Sequence, residues 1–183
     1  MSDVTKIYNY VPINDQIASS GQPSPEQFSA IKKAGYDVVI NLALASSEGA
    51  VGDEDALITE MGMSYLHIPV DFANPTLEDA QTFFGLMRGL KTRKVWVQCQ
   101  VNARVSAFVY LYQRYELGLS DEDATGPILK AWTPQMDDVW KGFLGVWGGG
   151  GGCFWGWVLG VWWGWGGGGG GGGGRGGGGG MEK

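Results

Sequence analysis

The sequence predicts an α/β protein: a three-layer αβα domain around a central, mostly parallel, four-stranded sheet. Short apolar runs such as DVVINL (37–42) alternate along the chain with longer amphipathic segments such as the one after Thr76. Strands that are separated by helices pair in parallel and need cover on both faces. Gly35 and Gly62 each follow an amphipathic segment, at the position where a helix commonly ends.

The first half of the chain contains five predicted elements, and its first helix begins with a clear capping signal. Ser24 is placed as an N-cap, with Pro25 at the first helical position and Gln27 completing a capping box. The apolar runs around 40 and 67 have the length of buried strands. The predicted elements are a strand at Ile17–Ser19, a helix at Pro25–Ala34, a strand at Asp37–Leu42, a helix at Asp53–Met61 and a strand at Tyr65–Val70.

The second half continues the alternation. Thr76 caps a helix, with Asp79 three residues later and an apolar stripe along one face. The further elements are a strand at Val95–Gln98, a buried helix at Val105–Leu117, a helix from the Ser120 cap to Trp132 and a last helix from Thr133-Pro134 to about Phe143.

Composition divides the chain at residue 144. The stretch 145–183 holds most of the 33 glycines and six of the nine tryptophans. Poly-glycine cannot bury enough surface to offset chain entropy, and the apolar run 153–165 is shorter than the roughly 20 residues of a membrane-spanning helix. We therefore expect one folded domain over 1–144, followed by a low-complexity tail that is disordered or an artefact of the sequence record.

Charge and cysteine content restrict the partners and the compartment. The chain has 13 basic and 19 acidic residues, a net charge of −6, which argues against a nucleic-acid partner because such binding needs a basic face. The two cysteines form no visible disulfide framework, and the N-terminus has no apolar core of a signal peptide. These features predict a cytoplasmic protein without a membrane partner, and they leave anion recognition open only inside a local pocket.

One strand-to-helix junction carries the candidate chemistry. The strand VWVQ runs into CQVNAR and then into a helix, and open α/β sheets bind ligands beyond the carboxyl ends of their strands. The backbone N–H groups and the helix dipole favour an oxyanion there, and an arginine adds a planar two-pronged donor. The candidates are a nucleophile, Cys99, and the phosphate-binding residues Gln100, Val101, Asn102, Ala103 and Arg104. The alternative is that Cys99 is simply a small buried apolar residue.

Three segments strengthen the first interpretation. IASSGQPSPEQFSAIKKAGYDVVINL, YLHIPVDFANPT and VWVQCQVNARVSAFVYLYQ, in this order and spacing, resemble the bacterial dual-specificity-phosphatase-like family, a protein tyrosine phosphatase-like domain also found fused to β-lactamase-like hydrolases. The similarity covers roughly residues 8–143. It implies that phosphate monoesters, carried by a phosphorylated protein or a small molecule, are hydrolysed through a phosphocysteine intermediate without a cofactor. Cys99 would attack phosphorus while Arg104 and the loop amides bind the equatorial oxygens.

Asp71 is the candidate general acid for this reaction. It follows the end of a predicted strand, so it can reach the sheet edge that carries Cys99, which lies 28 positions later. The alternative is that Asp71 only organises the DFANP turn, which is a common role for aspartate. Asp53 and Asp55 are weaker candidates for the same role.

The junction departs from the broad cysteine-phosphatase signature. Gln98 occupies the position of the usual histidine, and the spacing is C-x4-R, without a glycine, rather than C-x5-R. Positive φ must then fall on another residue, and Asn102 is the best suited. The hydroxyl that often follows the arginine is replaced by Val105, and Ser106, one position later, is the candidate auxiliary residue.

The short loop leaves two alternative functions open. Rhodanese-like sulfurtransferases use a loop of this length around a cysteine that carries a persulfide. A non-catalytic pseudophosphatase would bind a phosphorylated or anionic ligand without turnover. A metal site is not expected, because His67 is the only histidine and zinc sites usually gather four ligands.

Overall fold

Five strands form the central sheet of the computed structural model, which describes residues 3–148. Their order is β1-β2-β5-β3-β4; β1 is antiparallel to β2, and every other pair is parallel. The strands are β1 (Val11–Pro12), β2 (Ile17–Ser20), β3 (Val38–Asn41), β4 (Ser64–His67) and β5 (Val95–Gln98). The predicted fold class is confirmed, with one strand more than expected. The two residues of β1 are too few to show an alternating pattern in the sequence.

The strand register aligns the carboxyl ends of four strands at one edge of the sheet. Gln98 of β5 pairs with Ser20 of β2 on one side and with Asn41 of β3 on the other, and Asn41 pairs in turn with His67 of β4. All four residues of each of the strands β2, β3 and β5 are buried, and in β3 and β5 the first three of the four are apolar, as expected for parallel strands that are covered on both faces. Loops that leave this edge therefore converge on one place.

The helices cover both faces of the sheet. They are α1 (Pro25–Lys33), α2 (Glu54–Glu60), α3 (Leu77–Gly89), α4 (Ala103–Tyr115), α5 (Asp121–Ala124), α6 (Pro127–Trp132) and α7 (Asp138–Gly148). The Thr76 hydroxyl accepts the Asp79 N–H at 3.1 Å, while the Asp79 carboxylate accepts the Thr76 N–H at 3.0 Å, as the sequence predicts. None of the helices within residues 3–148 combines the length and the apolar character needed to cross a bilayer.

Two apolar cores lie on opposite faces of the sheet. Phe28 and Ile31 of α1 pack with Ile58 of α2 against Trp96 on one face. The larger core, on the other face, is built mainly from α3, α4 and α7 around residues such as Phe108. Because side chains alternate along a strand, the two faces receive alternate residues of β5, and the residue after β5 belongs to the larger core.

Several predicted helix boundaries are wrong. Helix α4 begins at Ala103 and ends at Tyr115, each two residues before the predicted bound. The helix predicted for 120–132 is divided between α5 and α6, because Pro127 lacks an N–H and disfavours helical backbone in the residue before it. The last α-helix begins at Asp138 rather than at Thr133, since Thr133–Gln135 forms a separate 3-10 turn. It continues to Gly148, so the first four residues of the predicted tail are helical, and 149–183 lie outside the described residues.

Candidate active site

The candidate nucleophile and its loop lie at the carboxyl edge of the sheet. Cys99 follows β5 directly, is fully buried, and donates its N–H to the Ser20 carbonyl at 3.3 Å. Arg104 is in the first turn of α4 and is only 4% exposed. The fold therefore brings the predicted loop residues together on one strand-to-helix connection.

The loop turns its carbonyl groups outward. The Gln100 carbonyl accepts the Gln22 N–H at 3.1 Å, and the Val101 carbonyl accepts the Asn9 Nδ2 at 2.8 Å. In a trans peptide the C=O and the following N–H point in opposite directions, so the next N–H groups are directed away from these partners. Within residues 3–148, the N–H groups of positions 100–105 donate to no protein acceptor. Such a run of unpaired donors at a helix N-terminus favours an anion, which makes this loop a candidate anion site.

Asn102 makes the tight turn possible. Its φ of 68° and ψ of 4° are left-handed, which confirms the prediction that positive φ falls on this residue. The side chain is fully buried, and its Nδ2 donates to the Asn9 carbonyl at 2.7 Å and to the Ser19 hydroxyl at 3.0 Å. These two contacts hold a conformation that disfavours most side chains.

The Arg104 guanidinium is oriented by the backbone of two strand ends. Its Nη1 donates to the Val70 carbonyl at 2.9 Å and to the Leu42 carbonyl at 3.3 Å, and Nη2 lies 3.4 Å from the Ser47 hydroxyl. The Phe72 ring centroid is 5.8 Å from the guanidinium carbon, within the range of a cation–π contact. Nε has no acceptor among residues 3–148, which leaves donor capacity for an anion.

Asp71 lies one residue after the carbonyl that Arg104 contacts. Its side chain is exposed, and Oδ1 accepts the Ala73 N–H at 2.9 Å, so the carboxylate organises the turn that the alternative interpretation describes. The second oxygen, Oδ2, has no partner within the described part of the chain. Asp53 and Asp55, the weaker candidates, are exposed at the start of α2.

The hydroxyl of Ser106 forms a hydrogen bond within its own helix. Its hydroxyl donates to the Ala103 carbonyl at 2.8 Å, within the first turn of α4. The side chain lines a cleft together with Val11 and Ile13, beside the β1 edge of the sheet. Asn102 also borders this cleft.

A buried carboxylate, Glu54, was missed by sequence reasoning. It is 5% exposed and accepts hydrogen bonds from the amide nitrogens of Asn41 (3.1 Å), Gln22 (3.4 Å) and Gln98. Burial raises the pKa of Glu54, against the hydrogen bonds and the charge of His67, which lower it. An acidic residue in the first turn of a helix is normally explained by the helix dipole, so its sequence position gave no separate signal.

His67 also lies at this edge, with Nε2 2.7 Å from the Ala43 carbonyl oxygen. The neighbouring Tyr65 hydroxyl accepts a hydrogen bond from Asn41 at 3.2 Å. Burial, with the charge of Glu54 adding to it, raises the pKa of Tyr65 to about 12. Across residues 3–148, no three His, Cys, Asp or Glu side chains form a group that could hold a metal ion.

Comparison with known proteins gives structural matches. No protein-family profile and no curated protein sequence matches the chain. A DUF442 protein of Shewanella putrefaciens CN-32, described as a candidate phosphatase, is 38% identical, covers 79% of this chain and 93% of its own, and has a TM-score of 0.71.

Two further solved structures share the fold at low identity. One is a cysteine-to-serine variant of TpbA from P. aeruginosa in complex with pTyr (13% identity, 81% of this chain, 94% of that chain, TM-score 0.56). The other is the core catalytic domain of the PP-IP phosphatase SIW14 from S. cerevisiae, in complex with citrate (12% identity, 76% of this chain, 85% of that chain, TM-score 0.61).

A substitution at Gly21 tests whether the loop must keep its position close to this residue. A Cβ at this residue would lie 2.9 Å from the Gln100 carbonyl oxygen and 2.8 Å from Tyr8 Cδ1. We expect Gly21→Ala to displace the loop and weaken orthovanadate binding about ten-fold, the equivalent of about 1.4 kcal/mol, as measured by calorimetry. Gly89→Ala is the control, because its Cβ would meet nothing within 4 Å. Equal affinities of Gly21→Ala and the wild type would contradict the packing argument.

Glu54 gives a pH prediction. Because its pKa is raised in the folded state above the ordinary value of 4.5, the folded protein holds this proton to higher pH than the unfolded chain does. The free energy of unfolding of the wild type should therefore fall, relative to that of Glu54→Gln, as the pH rises from 4.5 through the folded-state pKa. Urea denaturation of both proteins between about pH 4 and about pH 8 measures this difference. A difference that rises with pH instead would show that burial is not the dominant influence.

Proposed function

Since the chain belongs to the DUF442 family of phosphatase-like proteins, we propose that it is a cysteine-dependent phosphatase. It hydrolyses phosphate monoesters through a phosphocysteine intermediate. The observation that carries this proposal is the run of N–H groups at 100–105, which have no acceptor within residues 3–148; it follows buried Cys99 and includes buried Arg104. A nucleophile beside a preorganised set of oxyanion donors is the arrangement that phosphoryl transfer requires.

The first chemical step transfers the phosphoryl group to sulfur. The Cys99 thiolate attacks phosphorus, the bond from phosphorus to the ester oxygen breaks, and Asp71 gives its proton to the leaving oxygen. The positive end of the α4 dipole stabilises the thiolate before attack. The loop N–H groups and the free Nε of Arg104 bind the equatorial oxygens, where charge is spread in the transition state.

The second step releases phosphate. Water attacks the phosphorus of the phosphocysteine, the S–P bond breaks, and the Asp71 carboxylate takes the proton from the water. Inorganic phosphate leaves, and the Cys99 thiolate is restored. The same side chain thus serves as acid and then as base.

The surroundings of the loop are compatible with a phosphate ester on a protein or a small molecule. Tyr8 is 60% exposed, Val101 39% and Phe72 38%. Tyr8 adjoins Asn9, which binds the Val101 carbonyl, while the Phe72 ring lies over the Arg104 guanidinium. The described rim of the site is therefore apolar on two sides, which suits an ester with an apolar or aromatic group near phosphorus.

Removal of the nucleophile tests the mechanism. With the full chain and p-nitrophenyl phosphate, we expect Cys99→Ser to abolish phosphate release. Arg104→Lys should lower kcat/KM by about 10² to 10³, because a point charge cannot replace a two-pronged donor. The control is Arg114→Lys, in the same helix, where the guanidinium donates to the Leu119 carbonyl, and its activity should match that of the wild type.

Two results from parallel assays of the same protein would contradict the proposal. Thiocyanate formed from thiosulfate and cyanide, without phosphate release, would indicate a sulfurtransferase. Orthovanadate binding without turnover of either substrate would indicate a protein that binds phosphate groups and does not cleave them.

The role of Asp71 is tested through the leaving group. We expect Asp71→Asn to lower kcat/KM, which reports the first step and not the hydrolysis of the phosphocysteine, about 10²-fold or more for alkyl phosphates, whose leaving oxygen needs a proton. The loss should be much smaller for p-nitrophenyl phosphate, because nitrophenolate leaves without one. Asp138→Asn, on the exposed face of α7, is the control. If Asp53→Asn or Asp55→Asn shows the leaving-group dependence instead, the acid is assigned wrongly.

A further inference from the structure

Glu54 accepts hydrogen bonds from three side-chain amides near the candidate loop. Its carboxylate accepts from Gln22, at the turn after β2, from Asn41, at the end of β3, and from Gln98, at the end of β5. These donors lie far apart in the sequence, and the parallel register brings them to one edge. Arg104, the buried cation of the site, donates to Leu42, Val70 and Ser47 and not to this carboxylate.

Each of the three amides belongs to a segment that contacts the active-site loop or Arg104. Gln98 directly precedes Cys99, and the Gln22 N–H binds the Gln100 carbonyl at 3.1 Å. Asn41 Oδ1 accepts the Ala43 N–H at 2.8 Å. That contact fixes the turn in which the Leu42 carbonyl accepts a hydrogen bond from Arg104 Nη1.

The orientation of the amides shows what the centre requires. The Oε1 atoms of Gln22 and Gln98 are buried and have no hydrogen-bond partner within the described residues. Both side chains therefore leave an acceptor unsatisfied, at a cost in free energy, while their nitrogens turn to Glu54. A centre that faces three donors must be an acceptor alone, and an ionised carboxylate is the side chain with that property.

We propose that Glu54 is a positioning residue for the reaction. Through Gln98, Gln22 and Asn41 it holds Cys99, the outward-turned loop carbonyls and the partner of Arg104 in their relative positions. This inference rests on the proposed function, because the arrangement it maintains is the oxyanion site. The hydrogen-bonded network takes the place at position 98 that a single histidine occupies in the broad cysteine-phosphatase signature.

The direction in which orthovanadate affinity changes in Glu54→Gln distinguishes a positioning role from a purely electrostatic one. A buried negative charge near an anion site opposes anion binding, so Glu54→Gln would tighten orthovanadate binding if charge were its only influence. If Glu54 positions the loop, the same variant loses affinity, because glutamine presents N–H groups to amides that already donate.

The experiment measures orthovanadate affinity of the full chain by calorimetry, with the melting temperature recorded beside it. We expect Glu54→Gln and Gln98→Met each to weaken binding at least ten-fold. The double variant should lose little more than the weaker-binding single variant, because the two residues act as one unit. Glu116→Gln is the matched control, since Glu116 is a largely buried carboxylate that pairs with Arg88 at 2.8 Å, and its affinity should stay within two-fold of wild type.

Several outcomes would overturn the inference. Tighter orthovanadate binding by Glu54→Gln would show that Glu54 influences the site only through its charge. Unchanged affinity with a lower melting temperature would show that Glu54 contributes only to the stability of the fold. If Glu54→Gln does not fold, Gln98→Met decides, and full affinity in that variant contradicts the proposal. A wild-type protein that binds no orthovanadate contradicts the proposed function itself and the positioning role with it. Binding by the wild type with equal binding by both variants contradicts the positioning role alone.

Discussion

The loop between Cys99 and Arg104 has four residues in which to reverse direction, and none of them is glycine. The left-handed turn at Asn102 satisfies this constraint, and the amide of that side chain binds the Asn9 carbonyl and the Ser19 hydroxyl to hold it. Helix α4 begins at the next residue. Because the turn places the loop N–H groups and the first amides of the helix in one run, the candidate anion site depends on this single backbone conformation.

The sheet register governs the second half of the site. The residues that follow β3 and β4 supply the Leu42 and Val70 carbonyls, which hold Nη1 of Arg104. Carbonyl groups orient a guanidinium without neutralising it, whereas a carboxylate partner would compete directly with a bound anion. Within residues 3–148, Arg104 forms no ion pair. The charge of the guanidinium is therefore retained for a ligand, although the side chain is buried.

At Gln98 the chain departs from the cysteine-phosphatase signature, and a network of side chains takes the place of the usual histidine. Its side chain lies on the face of the sheet opposite Cys99, and on that side Glu54 accepts its amide nitrogen. Asn41 and Gln22 complete the group. Glu54 satisfies the amide nitrogens of this group, whereas the Oε1 atoms of Gln22 and Gln98 have no partner within the described residues, so the arrangement is kept at a cost in free energy.

The sequence by itself determined what depends on neighbouring residues. Helix caps, the strand-to-helix junction and the left-handed turn at Asn102 follow from local backbone and side-chain chemistry, so all three could be predicted. Only the tertiary structure decided that Glu54 joins Asn41 to Gln98 and that β1 adds an edge strand. These features depend on which distant segments meet at the sheet edge. A local sequence pattern does not show that Glu54, a residue of a usually exposed type, is buried and accepts hydrogen bonds from several side chains.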